Sequence, residues 1–213
     1  MTKHRSKDKW IEDILNAARK EIDELGYGDF SMEGIIRRTK LSKGGVYRFF
    51  KNKSEVALEL FASCYRSILD IEIDDCVSWN LPIDETIFKL MSRYSDPEEG
   101  VRMTDRIWVR LLPEVLNDNR FTKTRARLLN DIEQKMISLA VTLAKRDGLR
   151  MIPDMKPYIS GAISMGVGLM EGFAIQSALG SSIKQQGFLA KQFVSGIIEN
   201  FFEQDDDQKI SSK

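Results

Sequence analysis

Ser31 and Ser42 stand eleven residues apart, each directly before a stretch able to be helical. A serine in that place accepts one of the N–H groups left over at a helix start, so the two mark two helix beginnings with room for only about two turns between them. Residues 31–53 therefore predict two short helices joined by a tight turn and followed by basic residues. In the second helix Val46 and Phe50 lie four apart on one face, and Gly44 and Arg48 four apart on the opposite face. The apolar pair anchors the helix and leaves the other face free, which is how a helix is offered to DNA. Gly44 and Gly45 each cost roughly 0.8–1 kcal/mol against alanine in a helix interior and less at a first turn. In exchange their bare backbone permits close approach, and a helix start presents unpaired N–H groups that suit phosphate and base acceptors. A plain surface pair of helices is the competing reading.

The flanking residues keep the helical period. Trp10, Ile11, Ile14, Leu15, Ala18, Ile22 and Leu25 form one apolar stripe of a scaffold helix over 7–25 that ends at Gly26. Asn52 with Glu55 resembles a capping box, and Ala57, Leu60, Phe61, Cys64, Tyr65 and Ile68 continue as a long amphipathic helix joining two domains. Pro82, Pro97, Pro113, Pro153 and Pro157 each suit a helix start or break, giving helices near 82–95, 98–112, 119–147 and 155–179, and a last one near 184–203. No stretch alternates with period two long enough to be a strand, so the class is all-α. The polar end, 205–213, has the composition of a disordered tail.

Ile159–Leu179 is apolar enough to raise a membrane span, with Gly168 and Gly172 in small-xxx-small spacing. Glu171 near its middle, with Ser160, Ser164, Gln176 and Ser177, argues for a soluble helix buried on several sides, and no membrane partner is expected. Gly161, Gly168 and Gly172 would admit a neighbouring helix closely. The last helix, with Phe188, Leu189, Phe193, Ile197, Ile198, Phe201 and Phe202, carries more apolar surface than one face needs. Gly161, Gly168, Gly172, Phe193, Ile197 and Phe201 are accordingly the expected interface of a two-fold, four-helix dimer.

A net charge of zero conceals an asymmetry: residues 1–53 hold 13 Lys and Arg against 8 Asp and Glu, whereas 54–213 hold 19 against 24. A basic domain on an acidic body concentrates positive potential where phosphates would be met. The leader Thr2–Lys9 is either an arm along DNA or a solvated tail. Cys64 and Cys76 lie twelve residues apart with no Cys-x-x-Cys, and His4 is the one histidine, so no metal site or disulfide framework follows. The two thiols are read as reduced, half-buried core residues of a cytoplasmic protein. With no usable histidine, no glycine-rich phosphate loop and no paired ligands, the chain is expected to be no enzyme and to need no cofactor.

Ile14–Ala18, Glu24–Tyr27, Phe30–Ile35, Leu41-Ser-Lys-Gly-Gly-Val-Tyr-Arg-Phe-Phe50 and Lys51-Asn-Lys-Ser-Glu55 follow one another in an order that resembles the DNA-binding domain of TetR-family transcriptional repressors, from residue 9 to about 60. The resemblance implies a three-helix helix-turn-helix domain followed by a larger helical effector-binding and dimerisation domain, with the last two helices of each subunit forming the dimer. It also implies that Ser31, Met32, Tyr47 and Lys53 touch the DNA backbone and that Glu33 occupies a base-reading position. Tyr47 packing inward and Glu33 merely complementing its helix start remain the structural readings. Three positions depart from the family's pattern: Lys40 stands where a turn glycine is common, Ile36 where a small residue packs, and Gly45 where a threonine often contacts phosphate. A left-handed Lys40 would cost about 1–2 kcal/mol.

The expected domains are 1–53, with arm and helix-turn-helix, 54–204 for ligand and dimer, and the tail 205–213. Lys43, Gly44, Gly45, Arg48 and Phe49 are expected against the major groove with Ser42 capping their helix, Lys43 and Arg48 supplying the donors. Met91, Trp108, Leu111, Leu112, Met136, Leu139, Met165, Leu169, Met170 and Phe173 are candidates for an adaptable apolar pocket, with Glu171 facing a cationic group; at helical spacing the same residues suit a plain core. Together these describe a homodimeric repressor on palindromic double-stranded DNA, released by a small, largely apolar effector. The alternative is a helical adaptor binding a protein.

Overall fold

The computed structural model describes residues 6–92, 103–180 and 186–205. Pro97, the start of the helix expected from 98, His4 with the first half of the leader, and all but the first residue of the tail fall outside them. The chain divides into two compact units, Met1–Arg66 with Met103–Ala126, and Ser67–Arg102 with Arg127–Lys213. The division expected at residue 53 is thus not where the contacts part: the first unit also takes 54–66 and 103–126.

In the first unit, α1 (Lys7–Asp29) starts at Ser6, whose Oγ accepts the Lys9 N–H at 3.4 Å. Its regular path stops at Gly26, where φ is +77°, and one more turn leads to Phe30. Ile14, Leu15, Ala18 and Ile22 are buried as their spacing requires, but Leu25 is half exposed. α2 (Met32–Arg38) and α3 (Lys43–Tyr47) begin at the two serines: Ser31 Oγ accepts from Gly34 N–H at 3.1 Å and Ser42 Oγ from Gly45 N–H at 3.2 Å.

The turn between them needs no left-handed residue. Thr39 is extended, its hydroxyl donates to Ile36 O and accepts from Leu41 N–H, and Lys40 is not among the residues with positive φ. The cost anticipated for a left-handed Lys40 does not arise.

α4 (Lys53–Leu69) opens with half of the expected box: Asn52 Oδ1 accepts from Glu55 N–H at 3.0 Å, whereas Glu55 Oε2 reaches one residue further back and accepts from Lys51 N–H at 2.8 Å. α7 (Met103–Asn117) runs through Pro113 instead of stopping there, forgoing one backbone bond, and α8 (Asn119–Arg146) follows at once. Phe61 of α4 and Phe121 of α8, both fully buried, meet edge to face with centroids 5.3 Å apart. Trp108 Nε1 donates to the Tyr65 hydroxyl at 3.0 Å, and Arg125 Nε donates to the same oxygen at 3.1 Å.

The second unit holds a short helix missed in the sequence, α5 (Ile73–Ser78), then α6 (Ile83–Ser92), the later part of α8, a 3-10 segment Pro153–Tyr158, α9 (Ile159–Ala178) and α10 (Gln186–Phe201). Two three-residue strands, β1 (Leu149–Met151) and β2 (Phe202–Gln204), pair antiparallel with Arg150 opposite Glu203. They are too short for alternation to have revealed them, and the class remains all-α. Cys76, Leu90, Leu139, Leu143, Val194 and Phe202 belong to the core of this unit. Ser195 Oγ donates to Asp84 Oδ2 at 2.8 Å, fixing α10 on α6. Cys76 is fully buried, Cys64 of the first unit is partly so, and the two are not joined in a disulfide.

α9 departs from expectation. By length and composition the segment Pro153–Ala178 is apolar enough to cross a membrane, yet only 11% of its most apolar window is buried within the chain. Of its residues, Ile159 and Val167 are buried, whereas Met165 is 61% exposed, and a Cβ added at Gly161, Gly168 or Gly172 would meet nothing within 4 Å. The glycines expected to admit a neighbouring helix admit none from among the described residues.

Candidate nucleic-acid interface

Val46, with no exposed surface, and Phe50 hold α3 to the domain, which leaves Lys43, Gly44 and Arg48 exposed on the outside. The turn extends beyond α3, since Arg48 N–H bonds Gly44 O and Phe50 N–H bonds Val46 O, each at 3.1 Å. Tyr47, Phe49 and Gly45 are half-buried, and Lys43 Nζ lies 5.9 Å from the centre of the Tyr47 ring. A Cβ at Gly44 would meet nothing within 4 Å, so the fold itself does not require a glycine there. At Gly45 a Cβ would lie 3.4 Å from Ser42 Oγ, an ordinary contact at its near limit. Ser42 is exposed and Ser31 half-buried; each spends an oxygen lone pair on its cap and keeps a hydroxyl proton to donate.

Two expected backbone contacts are placed differently. The Met32 side chain is buried in the core, so its backbone N–H is what it has to offer a phosphate. Lys53 directs its ammonium at its own chain, donating to Tyr27 O, Gly28 O and Phe30 O at 3.2, 3.0 and 3.2 Å, with the Tyr27 ring 4.9 Å away. Burial, more than the neighbouring carboxylate of Glu114, raises the Tyr27 hydroxyl above its ordinary pKa. Glu33 is exposed at the start of α2, where it both complements the helix and faces outward.

Between Glu33 and Glu55 there are seven Lys and Arg and no acid, a run that adds Arg37, Lys40 and Lys51 to the candidates. All three are exposed, and the missing carboxylates were the signal that would have found them. Arg38 is of another kind: its Nε lies 2.5 Å from buried Glu21 and its Nη2 2.5 Å from Glu24, and these bonds, Glu24 first, hold it more firmly protonated than usual.

The second unit contains an apolar cavity of about 120 Å³ bordered by the C-terminal end of α4 and by α6, α8, α9 and α10. Met91, Met136, Leu139 and Met170 are among its lining residues. Trp108, Leu111 and Leu112 belong to the first unit, the first two inside its core, and Met165 is mostly exposed. Leu169, Glu171 and Phe173 are partly buried without lining the cavity. Phe193, Ile197 and Phe201, expected at a dimer interface, are among its lining and remain partly exposed.

Residues 14–60 match the bacterial regulatory proteins of the tetR family. They form a tetR-family domain. The HTH-type transcriptional regulator YhgD of Bacillus subtilis (strain 168) is 26% identical over 95 residues, which cover 45% of this chain and 49% of that protein. The match thus spans about half the length of that relative. Among solved structures, Salmonella enterica GusR has a TM-score of 0.70 at 15% identity, over 93% of this chain and all of that one. SmeT in complex with triclosan has a TM-score of 0.62 at 21% identity, over 92% of each chain. At such identities the structural likeness shows the fold. The tetR-family domain therefore coincides with the helices that present Lys43, Gly44 and Arg48.

Proposed function

We propose that this chain is a DNA-binding transcriptional regulator, a homodimeric repressor that a small apolar effector releases from a palindromic operator. The observation that carries it is α3, fastened by Val46 and Phe50 with exposed cations outside, in an acid-free stretch of a tetR-family domain. A single short helix reads few base pairs, whereas two related by a two-fold axis read half-sites about 34–36 Å apart. The bare, apolar side of α9 with Gly161, Gly168 and Gly172 supports a second copy as its cover. Such a reader of chromosomal DNA works in the cytoplasm and needs no catalytic chemistry.

Release follows from connectivity. Ile68, near the end of α4, borders the cavity, and the same helix begins at Lys53 beside the reading pair. A ligand that prefers one setting of α4 shifts the population of reading-helix spacings, by no more than its differential affinity allows.

The test is fluorescence anisotropy with duplex DNA from upstream of the gene. The expected result is specific binding whose logarithm falls linearly with log salt concentration, as phosphate contacts release counterions. Absence of salt-dependent DNA binding, with tight and salt-insensitive capture of a protein, would overturn the regulator in favour of the adaptor.

A further inference from the structure

We propose that the cavity in the second unit takes a neutral hydrocarbon ligand about the size of one ring, and rejects the same skeleton carrying a charge. This names the ligand class for the effector site proposed above and rests on that reading for its regulatory meaning only.

None of the nineteen residues lining the cavity has a side-chain nitrogen or oxygen. Nearly all lie within helices, from Ile68 of α4 to Phe201 of α10, so their backbone groups are already spent on helical hydrogen bonds. A hydrogen-bonding or charged group brought inside would lose water and gain no partner. The ligand must be satisfied by dispersion alone. Glu171, which would have favoured a cation, stands outside the lining.

Size narrows the class. An apolar cavity of roughly 150 Å³ in another protein stays dry and holds benzene, and the volume here, about 120 Å³, is close to that. Met91, Met136 and Met170, each with several rotatable bonds, supply the give that a methyl substituent needs. The site is accordingly built for toluene-like molecules.

The same methionines report on it. In protein labelled with 13C at the methionine methyls, toluene should shift the Met91, Met136 and Met170 resonances saturably and leave exposed Met165 unmoved. Benzyl alcohol should bind more weakly, and benzoate at least about 100-fold more weakly, because each adds a group without a partner. Gly166→Leu fills the space from a position where an added Cβ meets nothing within 4 Å. It should retain the helical circular dichroism and abolish the toluene shifts. The proposal is overturned if toluene shifts none of the three methyls, if benzoate binds as well as toluene, or if Gly166→Leu binds toluene like the parent. Adding toluene to the protein–DNA complex separates the two readings: methyl shifts without DNA release uphold the ligand class and remove its regulatory role.

Discussion

The carboxylate of Glu21 occupies the space that any side chain at position 34 would need: a Cβ on Gly34 would lie 2.9 Å from Glu21 Oε2 and closer still to Oε1. Glu21 is almost fully buried on α1, and Arg38 of α2 holds its Oε2 at 2.5 Å. The pair sets how closely α2 packs on α1. Gly34→Ala must therefore push the helices apart or turn the carboxylate away from Arg38, and either costs about 2–4 kcal/mol. Urea unfolding should show the unfolding free energy fall by that amount, with part of it recovered in the double variant Glu21→Ala, Gly34→Ala. A single variant as stable as the parent would mean that α2 has slack in its seat.

Lys53 separates a structural cation from a phosphate-binding one. Its three hydrogen bonds to Tyr27, Gly28 and Phe30 carbonyls hold the turn after Gly26 against the start of α4. Bonds to a charged donor contribute about 1.5–3 kcal/mol, so Lys53→Met should lose stability on that order in thermal or urea unfolding. If Lys53 acted on DNA alone, the midpoint would stay put and only the salt slope of DNA binding would fall, by about one.

Tyr65→Phe removes the acceptor of Trp108 Nε1, a donor that sits in a residue only 7% exposed. Leaving it unpaired costs about 1–3 kcal/mol. The variant should unfold correspondingly earlier, with altered tryptophan emission. Trp108→Phe in the same background removes the orphan donor and should restore part of the loss, which loss of ring packing alone would not allow.

What the sequence made legible were features fixed by neighbouring residues. The serine caps, the Asn52 half of the box and the stripe from Ile14 to Ile22 each depend on contacts within a few positions of the chain. What escaped depends on partners far along it. That Lys53 turns inward is decided by carbonyls some 25 positions earlier. That Phe193, Ile197 and Phe201 border a cavity is decided by which side of α10 meets α6, through Ser195 and Asp84. Period alone marked both sides of α10 as apolar and could not choose. Pro113 misled for a different reason: a helix with enough packed surface absorbs one missing hydrogen bond, which local preference cannot weigh.

Gly44 and Arg48 give the sharpest test of the reading helix, because at Gly44 fold and function pull in opposite directions. Nothing lies within 4 Å of a Cβ at Gly44, and its φ is not in the left-handed region, so Gly44→Leu strains nothing and gains up to about 0.8 kcal/mol of helix propensity. On stability alone the variant should equal or exceed the parent. If α3 lies in the major groove with its bare backbone near the bases, the same leucine is driven into the duplex, and specific affinity should fall at least about tenfold, or 1.4 kcal/mol. Arg48→Ala should cost about 1–3 kcal/mol of specific binding by removing a donor to guanine or phosphate, with the dimer intact by light scattering. A protein in which Gly44→Leu is as stable as the parent and binds the operator equally well would have its DNA surface elsewhere, and exposed Arg37, Lys40 and Lys51 would be the place to look first.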